Sequence, residues 1–138
     1  MVLSAASFAA AVGATEPRLP LTELPISEMK RVVPAEYGNA SALAGRGGTP
    51  LEIALAIAGA FEGSTQHIIQ VNDGGEAPSA SRITVMRDGL ADDSVRSERW
   101  DIALARTGAG LWRIVEVKRA WRCWRGEPRD WFATVMCP

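Results

Sequence analysis

The chain has 138 residues, 47% of them apolar and 22% charged, with a formal net charge of -1. That composition suits one globular domain with a substantial core of its own, excludes disorder, and selects no partner by bulk charge. Two cysteines and one histidine exclude the common zinc sites, which take four Cys/His ligands or three and an open position; only a mixed site of His67 with carboxylates stays open.

Residues 2–12 are apolar or small, and Val12, Gly13 and Ala14 satisfy the small-residue rule for signal cleavage, with Thr15 as the first mature residue. A basic segment ahead of them is missing. Residues 1–14 are therefore expected to be a signal peptide and the protein to be exported, periplasmic or secreted, with a weak Ala-rich helix as the alternative. Residues 15–48 read as an extended or partly helical lead-in. Pro17, Pro20 and Pro25 keep its first part extended. "SEMKRVV" (27–33) suggests a short helix stopped by Pro34, and "YGNASALAGRGG" (37–48) a glycine-rich loop.

Residues 49–138 are expected to form the folded domain. "TPLE" is a capping box with Thr49 as N-cap, Pro50 at the first helical position and Glu52 reaching back. The apolar residues that follow predict a helix over residues 50–62, with Leu51, Leu55 and Ala58 in one stripe, Ile57 and Phe61 beside it, and Gly63 as the residue that ends it. Strand patterning begins after it. Residues 66–71 place His67, Ile69 and Val71 on one face, and residues 82–87 pair Ile83 with Val85. Residues 98–106 set Trp100, Ile102 and Leu104 against Arg99, Asp101 and Ala103. In residues 111–125 the phase changes between Trp112/Ile114 and Val115/Val117, which a β-bulge or a crossing between two cores reconciles. No crossover helices separate these strands, so the sheet is antiparallel. The expected fold is α+β: one main helix packed on a curved antiparallel sheet of about four strands, a cystatin-like or nuclear-transport-factor-like roll.

"GLADDSVRSERW", "GLWRIVEV" and "WRCWRG…DW…C" together resemble an exported bacterial family of hypothetical proteins with a "DDSV" loop, a "C.PGRG..DW" segment and a terminal cysteine. The matching residues are Asp92, Asp93, Ser94, Val95 and Arg96, then Cys123, Gly126, Asp130, Trp131 and Cys137, within residues 82–138. The chain departs at "RGEPRDW", where the family more often carries a histidine before the aspartate. The resemblance implies a helix, a meander and export. It implies no activity.

Candidate sites are few. Asp92 and Asp93 beside Ser94 offer carboxylates for acid–base work or a cation, yet adjacent side chains diverge; the plainer reading is a cap on a helical turn through residues 93–99, with Arg96 or Arg99 pairing nearby. His67 alternates with apolar residues on a strand and has no evident nucleophile or orienting partner, Ser64 and Asp73 being near only in sequence. "GRGG" (45–48) lacks the lysine and spacing of a phosphate cradle. Residues 111–138 interleave basic residues with Trp112, Trp121, Trp124 and Trp131, a pattern that serves ligand binding or ordinary arginine–tryptophan packing.

Two functional readings follow. One is a non-catalytic exported module binding through the concave sheet face or a rim holding Asp92, Asp93, Arg96, Arg125 and Trp131. The alternative is a small enzyme of the cone-shaped α+β class with His67 or Asp92/Asp93 as acid–base in a helix–sheet pocket. No catalytic constellation, metal or cofactor is expected, nor a nucleic-acid partner, and no run is long enough to cross a membrane as a helix. A thiol oxidoreductase is disfavoured because Cys-x-x-Cys is missing. Instead, Cys123 and Cys137 are expected to bridge. The tail is broken by Gly126 and Pro128 and needs tying back, while Trp131 and Phe132 fill the loop the bridge closes.

Overall fold

In the computed structural model, which describes residues 19–138, the chain folds on a five-stranded antiparallel sheet. The strands are β1 (Lys30–Arg31), β2 (Thr65–Asn72), β3 (Ala80–Asp88), β4 (Val95–Arg106) and β5 (Trp112–Cys123), in the order β1-β5-β4-β3-β2. Two short helices, α1 (Ala40–Gly45) and α2 (Pro50–Ala58), precede the meander. The expected signal peptide, residues 1–14, lies outside the described residues.

This corrects the expected fold, one main helix on a roll of about four strands. The sheet dominates, it has five strands, and α2 is shorter than residues 50–62. The fifth strand is β1, inside the segment read as a helix. Two residues carry no periodicity; β1 exists because Lys30 and Arg31 pair with Arg119 and Lys118 of β5. The segment read as a glycine-rich loop contains α1, whose Ala40 and Ala44 are buried beneath it.

The start of α2 follows the sequence. Glu52 N–H donates to the Thr49 hydroxyl, Thr49 N–H donates to the Glu52 carboxylate, and Pro50 occupies the first turn. Its end does not. The helix stops at Ala58 because Gly59 turns to φ 78°, a conformation that favours glycine. The buried stripe is Pro50, Ile53, Ala54 and Ile57, whereas Leu51 is exposed and Leu55 half-buried. Ile53 and Ile57 join Ile83, Val85, Trp100, Ile102 and Leu104 in the main core, so the helix packs on the face of β4 that carries Trp100, Ile102 and Leu104.

A bulge resolves the phase of β5. Ala103 pairs with Glu116 and Leu104 with Ile114, leaving Val115 as the extra residue. Trp112, Ile114 and Val117 thereby all reach the same core. On the opposite face Leu24, Ala120 and Phe132 form a smaller core, with Leu21 and Met29 against it. The lead-in and the tail hold each other there: Ser27 N–H donates to the Phe132 carbonyl, and Phe132 N–H to that of Pro25, each at 2.9 Å. Cys123 and Cys137 form a disulfide with their Cα atoms 5.3 Å apart. Trp121 lies beside the tail, its indole donating to the Val135 carbonyl at 2.8 Å.

Candidate functional site

A concave site lies at the β1 side of the sheet. Pro34 starts a single 3-10 turn (Pro34–Glu36), and Tyr37 N–H donates to the Pro34 carbonyl. Gly38, at φ 61°, then reverses the chain into α1. These elements stand across from the start of β5, whose outer edge is paired with no strand among the described residues, because β1 pairs at Lys118 and Arg119 and Val32 N–H donates to the Val117 carbonyl just before them. Between them is a groove of about 420 Å³ lined by Pro34, Tyr37, Ser41, Ala44, Arg113 and Val115, with Gly45 and Ile114 completing it. Its volume falls within the range of small-molecule sites.

The bulge shapes this groove. Ile114 turns toward the core, while the extra residue, Val115, stays 51% exposed. Tyr37 is buried, and its hydroxyl is pushed above its usual pKa mainly by that burial; Arg31 pulls it down and Glu116 adds to the rise. The Glu116 carboxylate is already committed. Arg31 and Lys118 both pair with it, and their hydrogen bonds hold it below the usual carboxylate range. Arg113 is exposed and makes no ion pair among the described residues, so it is the uncommitted charge at an otherwise mostly apolar groove.

The residues singled out from sequence lie elsewhere. Asp92 accepts the backbone N–H groups of Val95 and Ser94, which lower its pKa, and thereby closes the turn into β4. No helical turn follows it, because residues 95–99 are strand; Asp93 is exposed beside it. Arg96 pairs with Asp88 at 3.5 Å, and its guanidinium lies 5.4 Å from the Trp124 ring. Arg125 donates to the carbonyl of Pro138, and Trp131 is half-buried in the tail. Trp124 N–H donates to the Ser94 carbonyl, so the "DDSV" loop and the start of the tail do meet. They meet as a packed surface in which Arg96 is ion-paired with Asp88 and Arg125 is bonded to the tail, while the buried Arg96 Nε makes no hydrogen bond among the described residues.

His67 is exposed on β2, opposite Met86 on the face turned away from the helices. Its sequence neighbours are occupied: Ser64 donates to the Asp88 carbonyl, and Asp73 accepts from Ser79 and Ala80. His67 and the aspartates Asp92 and Asp93 do not share the groove. Among the described residues no three His, Cys, Asp or Glu side chains are grouped to hold a metal ion.

Sequence reading missed two buried charge networks near the end of the sheet where β3 meets the start of β4. On the helix face, Arg87 is 2% exposed and donates to the carbonyls of Ala58 and Gly59 at 2.9 and 2.8 Å, to Gln66 at 2.8 Å and to Glu98 at 3.3 Å. It caps the end of α2 and sits 5.5 Å from the Phe61 ring. On the other face, Arg122 binds Asp88, the Ser97 hydroxyl and the Arg129 carbonyl. Burial pulls the Arg122 guanidinium's pKa down, against the pull of Asp88 upward. Their strand alternation was visible in sequence, but the facing partners were not. No family model, curated protein or solved structure matches the chain.

Proposed function

We propose that the chain is a non-catalytic exported binding module whose groove between Tyr37 and Arg113 takes a small ligand with an apolar body and an anionic head. The uncommitted Arg113 beside an apolar groove carries this reading. Tyr37, Ala44 and Val115 offer the apolar wall, Ser41 a hydroxyl, and the edge of β5, unpaired among the described residues, its backbone groups. The acid–base candidates support the same reading from the other side, since Asp92 is spent on a turn and His67 lies away from the groove.

Export is part of the proposal. The Cys123–Cys137 bridge suits an oxidising compartment, and no helix among the described residues is long and apolar enough to cross a membrane. Kinship with the exported family bearing the "DDSV" loop and terminal cysteine is proposed on the same footing. The binding test is thermal denaturation of the oxidised protein with a panel of aromatic and aliphatic carboxylates and their uncharged amides. Stabilisation by carboxylates only, lost in Arg113→Glu, is the expected result. Stabilisation by neither class, or equal stabilisation of Arg113→Glu, refutes the groove.

A further inference from the structure

The two edges of the sheet are built differently. At one edge β1 is two residues long, both charged, and the tail continues beside it where Trp121 bridges to Ala133. Shortness and charge are the usual protections of an edge strand. At the other edge β2 has neither. It runs eight residues, and its register with β3 is unbroken from Thr65↔Asp88 to Asn72↔Ser81, with no bulge. Its sequence, TQHIIQVN, contains no Asp, Glu, Lys, Arg or Pro. Ile68, Ile69 and Val71 are 38%, 44% and 61% exposed.

We propose that β2 pairs antiparallel with β2 of a second copy, about a twofold axis at Ile69, joining two sheets into one. The hydrogen-bond pattern sets the register. Asp73 N–H donates to the Ala80 carbonyl, which continues the β2–β3 register by one residue. In an antiparallel ladder alternate residues bond to one neighbour, so the odd-numbered residues of β2 bond to β3 and the even-numbered ones point outward. A twofold pairing through outward groups must join even residues with even. Centring it on Ile69 places Ile68 opposite Gln70 and Gln66 opposite Asn72, and uses the whole stretch from 66 to 72.

The side chains then match. Ile69 faces its own copy, and Val71 faces His67, on the sheet face turned from the helices. Amides face amides or isoleucine on the other. No like charges meet. The paired segment is about 23 Å long, which makes a small interface, so dissociation in the roughly micromolar range is expected. The twofold pairing uses the β2 edge of both copies, and so closes at two copies.

Sedimentation of the full oxidised chain over a dilution series tests this, with three variants. The wild type should shift from dimer to monomer on dilution. Ile69→Lys sets two ammonium groups opposite each other on the axis and should weaken the dimer at least tenfold, with the melting temperature of the monomer nearly unchanged because Ile69 is exposed. Ile69→Cys should give a cross-linked dimer on oxidation and Thr65→Cys should not, since only residue 69 meets its own copy. A wild type monomeric up to about 1 mM, a dimer indifferent to Ile69→Lys, growth into fibres, or cross-linking equal at 65 and 69 would each overturn the proposal.

Discussion

Replacing Arg87 by Met should cost about 3–5 kcal/mol, the usual penalty for breaking a buried ion pair from one side. Methionine keeps much of the volume but removes every donor. The carbonyls of Ala58 and Gly59 then lose their guanidinium partner at the end of α2, and Gln66 loses its hydrogen bond. Glu98 keeps a partner in Arg119 at 3.1 Å, so its charge is not wholly stranded, which places the cost toward the lower end. Urea unfolding of the oxidised protein reads the effect. With a slope of about 1.5 kcal/mol/M, a loss of 3 kcal/mol moves the midpoint by about 2 M. The double variant Arg87→Met/Glu98→Leu should recover part of the loss, because an apolar pair of similar volume leaves no buried charge. A loss under about 1 kcal/mol in the single variant, or no recovery in the double, refutes the view that this network is structural.

Reduction of the Cys123–Cys137 bridge should cost about 3 kcal/mol by the chain-entropy estimate for a loop of that size; two free thiols in the unreduced, denatured protein contradict the bridge. Burial pushes the Asp88 carboxyl up, but the Ser97 hydroxyl, the Gly89 N–H and the guanidiniums of Arg122 and Arg96 outweigh it, so its folded pKa lies below the usual value. Its contribution is therefore complete above about pH 4, the unfolded value, and is lost as pH falls through the lower folded value. Melting temperatures measured from about pH 6 to pH 2 should fall less steeply in Asp88→Asn than in the wild type, and identical slopes would show that Asp88 contributes nothing to acid stability.

The legible parts of the fold were those where one segment carries its own pattern. Trp100, Ile102 and Leu104 alternate with polar residues because β4 has two unlike faces, and Thr49 to Glu52 hold a complete capping box. The bulge at Val115 was legible as a change of phase. The end of α2 was not, because apolar spacing continues to Phe61 while the stop comes from Gly59 and from an arginine on β3. β1 was illegible because its only cause is a distant partner strand. The disulfide followed from having only two cysteines and a tail that needs an anchor, and the structure extends that anchor to the lead-in, through Ser27 and Phe132. The groove joins residues 34–45 to residues 113–115, two segments that share no motif, so no local signal announces it.

Residue-resolved NMR titration of the ¹⁵N-labelled oxidised protein with an aromatic carboxylate that stabilises it shows where the ligand sits. Binding in the groove should give saturable shifts concentrated at Tyr37, Ser41, Arg113, Ile114 and Val115, and these should disappear in Arg113→Glu. Shifts centred instead on His67 or on Asp92, Asp93 and Trp124, with the groove residues unmoved, would contradict it.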